Sequence, residues 1–276
     1  MLLKAIVLGI VQGLTEFIPV SSSGHLLGVR QLMGWNDAWL DQTFDVALHI
    51  GTLVALVSYY RHDWWSITRG FLNHILRHKP YYKDDADGTS GRLMVPILVA
   101  CVPAAIVGYV WEDFIEHQLG QWYMIAAALV VIGIVMLLAD MTGKKNRGID
   151  KMNYTDFITI GFAQALSLFP GVSRSGITIS AGLFRGLERA AAARFSFLLS
   201  TPIIIGAGLK KLMGLVSTGL QPGEAIPMIV GVVTASISGY LAIHFLITYL
   251  RTRTLVVFVV YRIAFAAVLA LVFLTR

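Results

Sequence analysis

The chain has 276 residues, 56% of them hydrophobic and only 14% charged, with a formal charge of +6 and a mean hydropathy of +0.70. That balance lies far from that of an ordinary soluble domain and points to a polytopic membrane protein. One cysteine, Cys101, excludes an intramolecular disulfide, has no metal-ligand spacing around it and reads as a small packing residue.

In chain order, the N-terminal MLLKAIVLGI looks superficially like a signal peptide, but the apolar run soon meets Gln12 and Glu16 and no small-x-small cleavage site follows. It is expected to stay in the mature protein. It leads into residues 9–24, GIVQGLTEFIPVSSSG, where an apolar helical pattern is broken by Pro19 and Gly24 among hydroxyl residues. Apolar stretches at about 44–60, 93–110 and 122–139 are long enough to cross roughly 30 Å of hydrocarbon as helices. Between them lie a polar loop at 61–92 and a short loop at 111–121 carrying Glu112, Asp113 and Glu116. The KDDAD cluster, Lys83 to Asp87, lacks the Gly and Glu spacing of an EF-hand and reads as a solvated linker. After a basic loop at 140–153 come residues 161–176, GFAQALSLFPGVSRSG, and then spans at about 195–213, 226–250 and 255–274.

The segments 9–24 and 161–176 align without a gap, and half of their positions are identical. Each consists of two apolar pieces too short to span singly, joined by a Pro/Gly/Ser elbow, which predicts a re-entrant hairpin. A hairpin returns to its own side and three crossings do not, so the second half enters the membrane upside down. The predicted fold is therefore an all-α polytopic membrane protein, an inverted-topology repeat. Halves of about 1–140 and 153–276 form one integral-membrane domain, each a re-entrant hairpin plus three transmembrane helices. Two elbows dipping from opposite faces would meet inside the bilayer and line a polar cavity.

Charge predicts orientation. Fifteen of the 22 Lys and Arg residues fall on the side of the 61–92, 140–153, 185–194 and 251–254 segments, which the positive-inside rule makes cytoplasmic. Both termini and the mouth of the first hairpin would then face outward. The net charge needs no nucleic-acid partner; this bias, with attraction to anionic membrane lipid, accounts for it.

Polar residues inside apolar surroundings concentrate at the elbows. Gln12 and Glu16 lie one helical turn apart on the same face. Ser21, Ser22, Ser23 and His25 follow, and the second half supplies Ser173, Arg174, Ser175 and Thr178. A buried carboxylate needs a cation or a proton, and an arginine at an elbow needs an anion. Singly, each has a structural reading: hydroxyls that satisfy broken-helix backbone, a core histidine, a Glu16–Arg174 pair that only ties the hairpins. Together, at two helix N-termini, they suit a phosphate group.

QGLTE (Gln12 to Glu16), SSSGH (Ser21 to His25) and PGVSRSGIT (Pro170 to Thr178) resemble the motifs of the bacterial undecaprenyl-pyrophosphate phosphatases of the bacitracin-resistance type, along essentially the whole chain. That family writes the first motif with Glu or Gln at its start and Glu at its end; here Gln12 and Glu16 leave a single carboxylate. The resemblance implies hydrolysis of a C55 polyprenyl diphosphate lipid to the monophosphate with help from Mg2+ or Ca2+, recycling the carrier for peptidoglycan synthesis in the inner membrane. Arg174 would then clamp the diphosphate with Ser21, Ser23, Ser173, Ser175 and Thr178. Glu16 would hold the cation or act as base, Gln12 would be an auxiliary ligand, and His25 would be acid or base. Either Ser22 or a metal-activated water would attack. An oxygen-ligand site suits Mg2+ or Ca2+.

Broken helices in inverted repeats also describe transporters, so a flippase of polyprenyl phosphate or a small anion is the alternative. Gly231, Ala235 and Gly239, at four-residue spacing, are open to two readings: a homodimer seam, or packing within one subunit.

Overall fold

The computed structural model describes residues 1–35, 42–77, 91–218 and 222–275. Among these the chain forms eleven α-helices and no strand. The first hairpin is α1 (Leu2–Phe17) and α2 (Ser22–Met33); α3 (Gln42–Tyr59), α4 (Arg61–Arg77), α5 (Met94–Gln118) and α6 (Trp122–Thr142) complete the first half. The second hairpin is α7 (Tyr154–Leu166) and α8 (Arg174–Phe184), followed by α9 (Arg189–Thr218), α10 (Ala225–Leu250) and α11 (Val256–Leu274).

Local chemistry accounts for the breaks. Ile18, the residue before Pro19, is extended at φ −65° and ψ 136°, as the proline ring demands, and α1 stops there. Ser21 then caps α2, its Oγ accepting from the Gly24 amide. At the second elbow Ser173 caps α8 in the same way, accepting from the Gly176 amide. A reciprocal Asn153–Asp156 capping box starts α7.

Among the described residues five helical segments are long and apolar enough to cross a membrane: Gly91–Trp111, Trp122–Thr142, Arg189–Leu209, Ala225–Leu250 and Val256–Leu274. The expected span at 44–60 is a shorter apolar helix, Phe44–Tyr59, whose rise of about 24 Å falls short of a full bilayer core. Two expected loops carry helix instead. Residues 61–77 form α4, which buries Ile67 and exposes Trp65, Leu72, Ile75 and Leu76, the pattern of an interfacial amphipathic helix. The segment 111–118 prolongs α5. The linker cluster Lys83–Asp87 and the side chains of Glu112, Asp113, Glu116, Lys210 and Lys211 lie outside the described residues.

The halves exchange partners: α1 packs on α10, α7 on α5, and α6 on α11. Close approach of α1 to α10 requires glycine, because a Cβ on Gly13 would fall 2.0 Å from Ser238 Oγ and 2.5 Å from the Ala235 carbonyl oxygen. The small-residue stripe of α10 is used up within the chain. Gly231 faces Phe44 and Leu48, Gly239 faces Phe17 and Ala55, and Ala235 is fully buried, so packing within the subunit occupies the seam read as a possible dimer face.

Basic residues of the 140–194 region also do structural work. Asp156, fully buried at the mouth of α7 and outside the spanning segments, takes Arg147 at 2.6 Å and Arg185 at 2.8 Å. Burial by itself raises a carboxyl pKa; here the hydrogen bonds from Arg147, the Asn153 amide and Arg185 outweigh it and hold Asp156 below the usual aspartate value. Asp140 pairs with Arg189 and accepts from the Leu255 amide at 2.9 Å, and Asp63 pairs with Arg194.

Candidate active site

The two elbows meet. The last turn of α1 delivers Glu16, the N-terminus of α2 delivers Ser21, Ser22 and Ser23, and the second elbow brings Ser167, Ser173 and Arg174 around the same polar cavity of about 160 Å³. Across the junction the Gly171 amide donates to Ser23 Oγ at 3.2 Å, tying one elbow to the other.

Glu16 is the hub. One carboxylate oxygen, Oε2, accepts from Ser22 Oγ at 2.8 Å and from Gln12 Nε2 at 3.1 Å, while Oε1 lies 3.5 Å from Arg174 Nη2. With the Glu16 side chain only 6% exposed, these contacts supply the pairing that a buried carboxylate requires. Arg174 is left with a buried Nη1 that has no partner among the described residues, a donor held ready for an anion.

The expected residues divide. Glu16, Ser21, Ser22, Ser23, Ser173 and Arg174 line the cavity. Ser175 and Thr178 do not: both are buried in the first turns of α8, where Ser175 bonds Ser173, and Thr178 donates to the Arg174 carbonyl and meets Ser196 Oγ at 2.6 Å. They hold the turn that carries Arg174. His25 is also turned away. Its Nδ1 lies 2.7 Å from the Ser21 carbonyl, which can only accept, so Nδ1 bears the hydrogen and Nε2 accepts from the Tyr261 hydroxyl at 2.7 Å. With its ring stacked 3.9 Å from Phe265, it is a satisfied core histidine.

Two residues escaped the sequence reading. His49 of α3 lines the cavity; Nδ1 donates to the Asp45 carbonyl at 2.7 Å, which turns Nε2 toward Glu16, 3.9 Å away. Arg262 of α11 is fully buried and donates to Pro19 in the first elbow at 3.2 Å, to Gly171 and Val172 in the second at 2.8 and 3.2 Å, and to Leu129 of α6 at 3.0 Å. One guanidinium thus ties down the carbonyls of both broken helices, which have no water to turn to in a bilayer. The signal was available: an arginine inside an apolar 19-residue helix marks a functional position.

Gln12 sits outside the cavity lining, but its buried Oε1, next to the Glu16 carboxylate, has no hydrogen-bond partner among the described residues. An orphaned oxygen next to a carboxylate fits a hard cation taking oxygen ligands. Among the described residues no group of three or more His, Cys, Asp or Glu side chains forms a dedicated metal cage.

A family model described as "Bacitracin resistance protein BacA" matches residues 5–268. Proteins named undecaprenyl-diphosphatase from Rubrobacter xylanophilus, Geotalea daltonii and Moorella thermoacetica are 44%, 43% and 44% identical to the chain. The alignments cover 98%, 99% and 99% of this chain and 97%, 98% and 98% of those proteins. With the QGLTE, SSSGH and PGVSRSGIT segments gathered at one cavity and the match running through nearly the whole length, the chain belongs to the bacitracin resistance protein BacA family.

Proposed function

We propose that this protein is an undecaprenyl-diphosphate phosphatase, hydrolysing the C55 polyprenyl diphosphate to its monophosphate and inorganic phosphate, the activity by which its relatives are named. The observation that carries the mechanism is the Ser22 Oγ to Glu16 Oε2 hydrogen bond of 2.8 Å, with Arg174 on the other carboxylate oxygen.

The diphosphate enters the polar cavity. Arg174, Ser173 and the positive N-terminal ends of α2 and α8 bind its oxygens and stabilise charge on the transferring phosphoryl group. Ser22 Oγ attacks the terminal phosphorus as its proton passes to Glu16, the bond to the bridging oxygen breaks, and the prenyl monophosphate leaves with that proton. Water then attacks the phosphoserine, giving one proton to Glu16, which returns it to Ser22 Oγ as inorganic phosphate departs. The acid–base role expected of His25 thus falls to Glu16, with His49 beside it. A preformed hydroxyl–carboxylate contact favours Ser22 over direct attack by water.

A Mg2+ or Ca2+ ion would be held by Glu16 and Gln12 Oε1 together with substrate oxygens, and would neutralise diphosphate charge. In the membrane we infer the orientation that the basic loops favour: those loops in the cytoplasm, and both termini and the mouth of the first hairpin on the periplasmic side, where carrier diphosphate is released.

The test is phosphate release from farnesyl or undecaprenyl diphosphate by purified protein in detergent, with and without EDTA, beside Arg174→Ala. Release that is metal-dependent and lost in the variant supports the assignment. No release from folded protein, where no gradient exists, would turn attention to transport.

A further inference from the structure

The polar cavity borders an apolar one. A groove of about 280 Å³ runs between α5 and the elbow end of the second hairpin, walled by Val107, Trp111 and Phe114 on one side and Ala165, Leu166 and Phe169 on the other. Phe169 lines both cavities, so the groove and the polar cavity lie next to each other at this side chain.

The repeat counterpart of this seam is shut. Phe17, which aligns with Phe169, is 2% exposed and packs edge-on against Phe197 at 5.5 Å, whereas Phe169 is 37% exposed. Gly13, which aligns with Ala165, lets α1 press against the α10 backbone; Ala165 brings a methyl to the equivalent seam with α5. Trp111, Phe114 and Leu166 are each about half exposed along the groove, on the side that bilayer lipid would cover. One of two related seams is therefore open, apolar and bordered at Phe169 by the polar cavity.

We propose that this groove seats the first isoprene units of the substrate whose diphosphate occupies the polar cavity. The assignment rests on the phosphatase reading. Branched C5 units match an aliphatic and aromatic wall, and the polar head and apolar tail meet where the polar and apolar cavities share Phe169. The volume is slightly below the roughly 300 Å³ at which sites for drug-sized ligands begin. The groove thus holds only the head-proximal units, and the rest of the tail stays in lipid. Selection then acts on the first few units and not on total length.

The test pairs a binding map with kinetics. A farnesyl diphosphate analogue carrying benzophenone near its first isoprene is photo-cross-linked to the wild-type protein and the labelled peptides are sequenced. Label on Val107–Phe114 or Ala165–Phe169 is expected; label elsewhere, or none, overturns the groove. For Val107→Trp, which fills it, the preference in kcat/KM for farnesyl over dimethylallyl diphosphate should shrink by at least about tenfold, as expected when apolar pocket contacts are lost. Undecaprenyl diphosphate should lose as farnesyl does. Equal loss on the C5 and C15 substrates would overturn the assignment. The underlying reading fails separately: wild-type protein that labels in the groove but hydrolyses nothing keeps the lipid site and loses the phosphatase, while hydrolysis with label elsewhere does the reverse.

Discussion

The first elbow holds Ser21 at φ 76° with its Oγ on the Gly24 amide, and the second holds Ser173 at φ 71° with its Oγ on the Gly176 amide, so the backbone device is the same twice over. The charges are not. Glu16 aligns with Leu168, and Arg174 aligns with Ser22, so each half lacks the ion that the other carries. A duplicated backbone solves a problem both halves share, which is how to turn a broken helix inside a bilayer without orphaning its amides. Partitioned charge brings carboxylate and guanidinium together only where the two elbows touch. The same divergence opens one seam, at Ala165 and Phe169, and closes its partner, at Gly13 and Phe17.

Removing the charge or hydroxyl that distinguishes the elbows should have the largest effect. Ser22→Ala and Glu16→Gln should each lower turnover by ~10²–10⁴-fold, and the double variant should be little worse than either, because nucleophile and base act as a unit. Additive losses in phosphate-release assays would separate the two roles. Arg174→Ala should cost ~10²–10³-fold, with Arg174→Lys restoring only part of it, since an ammonium lacks the planar fork.

Arg262→Leu tests what holds the elbows together. Elbow carbonyls left without a partner should cost at least about 2 kcal/mol of stability. Thermal unfolding in detergent and activity should fall together, and unchanged melting would remove the clamp.

A smaller effect belongs to Asp156, where the second hairpin begins and whose pKa is held low. The unfolded chain binds its proton more readily than the folded one, so its contribution is present above the usual aspartate range and fades as pH falls through and below it. Asp156→Asn should flatten stability against pH over that acid interval; an unaltered profile would refute the contribution. Least affected should be Ser21→Gly and Ser173→Gly. Relief of the positive φ offsets a cap loss of a few tenths of a kcal/mol, and the two elbows should respond alike in thermal melts.

Periodicity, the repeat and its Pro/Gly breaks were enough for helices, hairpins and the meeting of Glu16 with Arg174, because these depend on local backbone rules and on the cost of burying charge. The same rules made a loop of residues 61–77, since a polar, Trp-rich stretch becomes the helix α4 only by resting on neighbours. His25 and His49 show the limit most clearly. Both are imidazoles in helices near the elbow, and sequence proximity favoured His25; the packing of α11 gave that ring Tyr261 and Phe265, and the approach of α3 turned His49 to the cavity instead. Arg262 is 243 residues from the Pro19 carbonyl it serves. Composition and spacing alone thus determined a membrane-embedded, twice-broken helical chain with a polar centre at its elbows. Which side chains face that centre, which seam stays open and what pins the elbows were decided by tertiary structure, because they depend on contacts between helices that local pattern does not encode.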